Sequence, residues 1–114
     1  MFKILFTLLI FISYNFNFSL YSQEINNKIK IGLLVPFTGE YADVGKSILY
    51  SLQLALKEID EKKVVIYPKD SGLDNKDKLL KSIEELIKED IKVVIGPLTQ
   101  KHINEVYKFK NISF

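Results

Sequence analysis

Residues 28–39 read Lys-Ile-Lys-Ile-Gly-Leu-Leu-Val-Pro-Phe-Thr-Gly. The first half alternates polar and apolar side chains, and the second is a continuous apolar run. That change is the mark of a strand entering a parallel sheet covered on both faces. Pro36 to Gly39 then supplies turn residues that end it. From Ala42 to Asp60, apolar residues fall at Ile48, Leu52, Ala55, Leu56 and Ile59, the one-sided stripe of an amphipathic helix. Val64 to Tyr67 predicts a second strand, stopped by Pro68. Asp74 or Asn75 can cap a second helix whose stripe is Leu79, Ile83, Leu86 and Ile87. Ile91 to Ile95 predicts a third strand closed by Gly96-Pro97. A third helix is expected from Gln100 to Lys108, burying Ile103, Val106 and Tyr107, and Ile112 to Phe114 opens a fourth strand. The order β-α-β-α-β-α-β with short connections predicts an α/β fold, a three-layer parallel sheet with helices on both faces. In such sheets ligands bind at the carboxyl ends of the strands, which singles out the loops 36–43, 68–74 and 96–100.

Toward the other end of the chain, Met1-Phe2-Lys3 gives a positive start and Ile4 to Ile12 an apolar run broken only by Thr7. As a helix that run rises about 14 Å, well short of a bilayer's ~30 Å hydrocarbon core. Residues 1–22 are therefore read as an export signal peptide cleaved between Ser22 and Gln23, and 23–114 as the exported part. This predicts a periplasmic location, with membrane contact only through the signal.

The chain of 114 residues carries 16 Lys, no Arg and 14 acids, a net charge of +2. Near-neutrality without a guanidinium argues against nucleic acid as a partner. The absence of Cys excludes disulfides, thiolate metal sites, thiol nucleophiles and an amino-terminal lipid-modified Cys. Gly39 to Ser47, Gly-Glu-Tyr-Ala-Asp-Val-Gly-Lys-Ser, approaches a phosphate-binding loop. It has five residues between its glycines where four are needed, and two carboxylates that repel phosphate. Asp70, Asp74 and Asp77 miss calcium-loop spacing and read as turn and capping residues. His102, the one histidine, reads as a surface residue, and no Ser has a base in pattern with it. Nothing here calls for an enzyme or a cofactor.

Ile29 to Gly39, Tyr41-Ala42 to Gly45, Ala55 to Ile59, Tyr67 to Ser71 and Val93 to Leu98, in this order and spacing, resemble type 1 periplasmic-binding-fold proteins of the leucine/isoleucine/valine-binding group. The resemblance implies two α/β lobes closing on a small polar solute such as an amino acid, and delivery to the permease subunits of an ABC-type importer. It implies lobe-one contacts from Thr38, Tyr41, Thr99 and Gln100, with backbone at Gly39 and Pro97 shaping the crevice. Gln100 and Val44 stand where the branched-chain binders carry a Ser and an aromatic, and the longer Gln100 amide can donate to a different solute. Penicillin-binding-protein activators share the fold and match Gly32 to Gly39 equally well; they imply an interaction module that contacts a cell-wall synthase and takes no small ligand. In either case the chain reaches only the start of a fourth strand. The expectation is thus an incomplete amino-terminal lobe, 23–114, that does not bind solute tightly by itself.

Overall fold

The computed structural model describes residues 27–114; the signal peptide and the Ser22–Gln23 cleavage point lie outside the described residues. Three strands, β1 (Ile29–Val35), β2 (Val64–Asp70) and β3 (Val93–Ile95), alternate with three helices, α1 (Ala42–Glu58), α2 (Lys76–Lys88) and α3 (Gln100–Val106). The sheet is parallel in the order β2-β1-β3. Its register runs from Ile29↔Val64 to Val35↔Asp70 on one side of β1 and from Ile31↔Val93 to Leu33↔Ile95 on the other. The expected fourth strand is present as a single parallel bridge, with Ser113 N–H donating to the Lys92 carbonyl and Val94 N–H to the Ser113 carbonyl, both at 2.8 Å.

The alternation along β1 assigns the two faces. A methyl group on Gly32 would meet Val94 and Leu86, so the even-numbered face receives α2. Leu34, Leu79, Ile83, Leu86, Ile91, Val94, Val106 and Ile112 close into one core there, so α3 shares that side. A methyl group on Gly45 would overlap the Pro36 carbonyl oxygen and approach Val35 Cγ2 at 3.2 Å, which places α1 on the opposite face. The helix side chain that touches β1 closest is thus the one that had to be absent. Of the expected α1 stripe, Ile48, Leu52 and Leu56 are half-buried, while Ala55 and Ile59 are exposed. Val93 and Ile95 on the same face are also exposed.

Three expectations need correction. β2 does not stop at Pro68 but continues to Asp70. Ser71 N–H donates to the Val35 carbonyl at 2.9 Å, so by alternation the Pro68 nitrogen points away from β1. At an outer strand that position loses no ladder bond. In α3, Tyr107 is 78% exposed and Ile103 half-buried, whereas His102 is only 2% exposed. The inward stripe is His102–Val106, an i, i+4 pair, and His102 is not a surface residue. The α2 cap needs no correction: of Asp74 and Asn75 it is Asn75, whose side chain accepts from Lys78 N–H at 3.0 Å.

Candidate functional site

The connections at the carboxyl ends of the strands converge because β2 and β3 flank β1 while α1 and α2 leave on opposite faces. At this switch point a crevice of about 390 Å³ is lined by Pro36, Tyr41, Leu73, Asp74, Leu98, Thr99 and Lys101. All three strand-to-helix connections contribute, which is how open α/β sheets build ligand sites. A wider hollow of about 570 Å³ runs along α1, but one helix supplies its whole wall, so it gathers no groups from different loops.

Asp70 at the end of β2 fixes the loops beneath the crevice. Its Oδ1 accepts from Phe37 N–H and Gly72 N–H, each at 3.0 Å. Its Oδ2 accepts from Thr38 Oγ1 at 2.6 Å and lies 2.6 Å from Lys78 Nζ. Burial pushes this carboxyl up, but Lys78, Thr38 and the two backbone donors together outweigh that and hold it well below the usual carboxylate range. One side chain thereby ties the β1–α1 loop to the β2–α2 loop and to α2.

The residues expected at the site divide into groups. Tyr41 and Thr99 both line the crevice. Pro97 is buried at a cis peptide after Gly96, where φ is +110° and any methyl group would overlap the Leu34 carbonyl oxygen. Gly39, at φ +81°, forms the turn that leads into α1. Thr38 is engaged with Asp70 and also accepts from Lys78 Nζ at 2.9 Å. Gln100 is exposed and is not part of the lining. The sequence reading missed Pro36, Leu73, Asp74, Leu98 and Lys101; the signal for the first four was membership in the loops 36–43, 68–74 and 96–100, whereas Lys101 lies just inside α3. The phosphate-loop look-alike is an ordinary helix start, with Ser47 Oγ donating to the Asp43 carbonyl at 2.8 Å and Lys46 Nζ 3.5 Å from Asp43.

Beneath the rim, Thr99 Oγ1 and both ring nitrogens of His102 are buried with no hydrogen-bond partner among the described residues. Burial, then the neighbouring Lys101 charge, hold the imidazole pKa below its ordinary value against the opposing pull of Asp74 and Glu105. Lys101 Nζ stands 3.5 Å from Asp74 Oδ1, and Lys76 Nζ 3.0 Å from Glu105 Oε2, so α3 is tied to the start of α2 by two ion pairs. Among the described residues, no group of three His, Asp or Glu side chains is placed to hold a metal ion.

The sequence profile of the family described as Periplasmic binding protein matches residues 28–112, the whole of the sheet and its helices. The chain belongs to that family. Among solved structures, this periplasmic binding protein chain is similar to a solute-binding protein of an ABC transporter from R. palustris in complex with benzoate. The two are 26% identical with a TM-score of 0.62, over 71% of this chain and 24% of that one. In fold it is also similar to a branched-chain amino acid ABC transporter periplasmic ligand-binding protein from Burkholderia xenovorans LB400. There the identity is 20% and the TM-score 0.61, over 76% of this chain and 26% of that one. The chain thus spans about a quarter of the length of either structure. No curated protein matches it. The family inferred from Ile29 to Gly39 and Val93 to Leu98 is the family found, and these relatives are solute-binding proteins rather than enzymes.

Proposed function

We propose that this chain is the first-lobe portion of an extracytoplasmic solute-binding component of an ABC-type importer. It takes an amino acid or similar small polar solute at the crevice between the β1–α1, β2–α2 and β3–α3 connections. The observation that carries the reading is that crevice, at the switch point of a periplasmic binding protein fold, with a buried and unpartnered Thr99 hydroxyl beside it. Tyr41 and Thr99 offer hydroxyls, the turns at Gly39 and Pro97 set the shape, and Gln100 stands exposed outside the lining. Thr38 acts through Asp70, by holding the loop. Residues 1–22 direct export to the periplasm, where permease subunits are the partners.

The experiment is a titration of the ¹⁵N-labelled chain with amino acids, followed by amide shifts. The reading expects shifts concentrated at Leu73, Asp74, Leu98, Thr99 and Lys101; shifts scattered elsewhere, or none, would overturn it. Amino-terminal sequencing of the exported protein should begin at Gln23. A second reading, an activator-like interaction module without a small ligand, draws on the exposed Val44, Val93 and Ile95 of the α1 face. It expects no solute-dependent shifts and a protein partner that protects those three side chains.

A further inference from the structure

We infer that His102 is a proton-operated latch on α3: protonation of its imidazole releases α3 from the sheet while α2 and the strands hold, and carries Thr99 and Lys101 out of the crevice wall. The ring is 2% exposed, and neither of its nitrogens has a hydrogen-bond partner among the described residues. A neutral imidazole tolerates such a place, having one N–H and an otherwise weakly polar ring. An imidazolium has two N–H donors and a full charge, and a buried charge without a partner is strongly disfavoured. Bringing the ring to water relieves it.

The charges around the ring do not supply that partner. Lys101 and Glu105 act on it from α3 itself, and Asp74 from the β2–α2 connection. Lys101 opposes a second cation. Asp74 is 82% exposed and lies 3.5 Å from Lys101, so solvent screens its pull. Glu105 Oε2 is already engaged by Lys76 at 3.0 Å and Lys108 at 2.7 Å.

The element least able to keep the ring inside is α3. By contrast, α2 has thirteen residues and buries Leu79, Ser82, Ile83 and Leu86. It is also bonded to β2, with Ser82 Oγ donating to the Asp70 carbonyl at 2.7 Å and Lys69 Nζ to Glu85 at 2.6 Å. The seven residues of α3 bury only His102 and Val106. The segment around Ser113 holds β3 through its own two backbone bonds, so the sheet does not depend on α3. Between the ordinary imidazole value of 6.5 and its lowered value in the fold, docking of α3 weakens by up to about tenfold per pH unit. The latch works whether or not the crevice holds a solute.

The test follows the full ¹⁵N-labelled chain by NMR from pH 7.5 to pH 5, where the single histidine makes the imidazole signal unambiguous. We expect the ring to titrate together with the amides of Ile103 and Tyr107, which are hydrogen-bonded within and at the end of α3, at one midpoint below 6.5. Those amides should move to unstructured-chain positions, while the amides of Ile91 and Ser113 stay. His102→Leu and His102→Met are neutral at every pH and should keep α3 in place down to pH 5; two variants ensure that one badly packed side chain does not decide the result. A ring that stays neutral at pH 5, a ring that titrates without moving the α3 amides, or α3 amides already unstructured at pH 7.5 would overturn the latch. So would release of α3 that persists in both variants, or loss of Ile91 and Ser113 along with α3.

Discussion

The Asp70 carboxylate collects donors from Phe37, Thr38, Gly72 and Lys78, and so joins the β1–α1 loop to the β2–α2 loop. Asp70→Asn keeps the shape but turns an amide nitrogen toward groups that donate. We expect a loss of about 2–3 kcal/mol in urea denaturation. Because the folded pKa is depressed, the unfolded chain binds the proton first. The contribution of Asp70 is therefore complete at neutral pH, starts to fall as acid approaches the ordinary value of 3.8, and is exhausted only below the depressed folded value. His102 follows the same sign through a base. Its imidazole is disfavoured as a cation in the fold, so its contribution is complete above 6.5 and declines as pH falls through that value toward the lowered folded one. His102→Leu removes two buried nitrogens that have no partner among the described residues. It should leave stability at pH 7.5 unchanged or raised by about 1 kcal/mol and flatten the dependence between pH 7 and 5. Denaturation midpoints of the parent and variant at both pH values check this.

At the level of helices and strands, α1 lies so close to β1 that Gly45 and the Pro36 carbonyl share the contact. Gly45→Ala should force the helix outward and lower stability by about 1–3 kcal/mol, against a gain in helix propensity, as measured by thermal denaturation. The α2 start depends on one side-chain bond from Asn75, and Asn75→Ala should cost about 1 kcal/mol in the same assay. Those elements were legible because their signals are periodic: the α2 stripe Leu79, Ile83 and Leu86 is buried as the spacing required. Pro68 misled because a proline's effect depends on which edge its nitrogen faces, and edge identity belongs to the assembled sheet. α3 misled for a different reason. The helix starts at Gln100 and buries Val106 as expected, but the residue that joins Val106 on the inward face is His102 rather than Tyr107, and hydrophobic periodicity does not single out a histidine. The crevice was legible as a set of loops and not as a set of side chains. Leu73, Asp74, Leu98 and Lys101 sit in no periodic pattern, and only the β2-β1-β3 order brings them together.

For the molecule as a whole, the two faces of the sheet differ. The α2–α3 side holds the closed core, whereas the α1 side leaves Val44, Val93 and Ile95 in solvent. Among the described residues the crevice is walled by one sheet end only, too little to enclose the 70–90% of a ligand's surface that tight sites bury. We expect solute affinities of this chain in the millimolar range, read from the amide titration; a micromolar constant would contradict the single-walled geometry. The outward nitrogen of Pro68 has a further effect, on traffic between molecules. A foreign strand laid along β2 would find a gap where a donor should be, while beside β3 the 112–114 segment already exchanges bonds with Lys92 and Val94. A foreign strand beside β2 therefore loses one ladder bond, and the groups beside β3 at Lys92 and Val94 are already taken by the chain's own segment. That missing donor disfavours pairing of two copies along their β2 flanks.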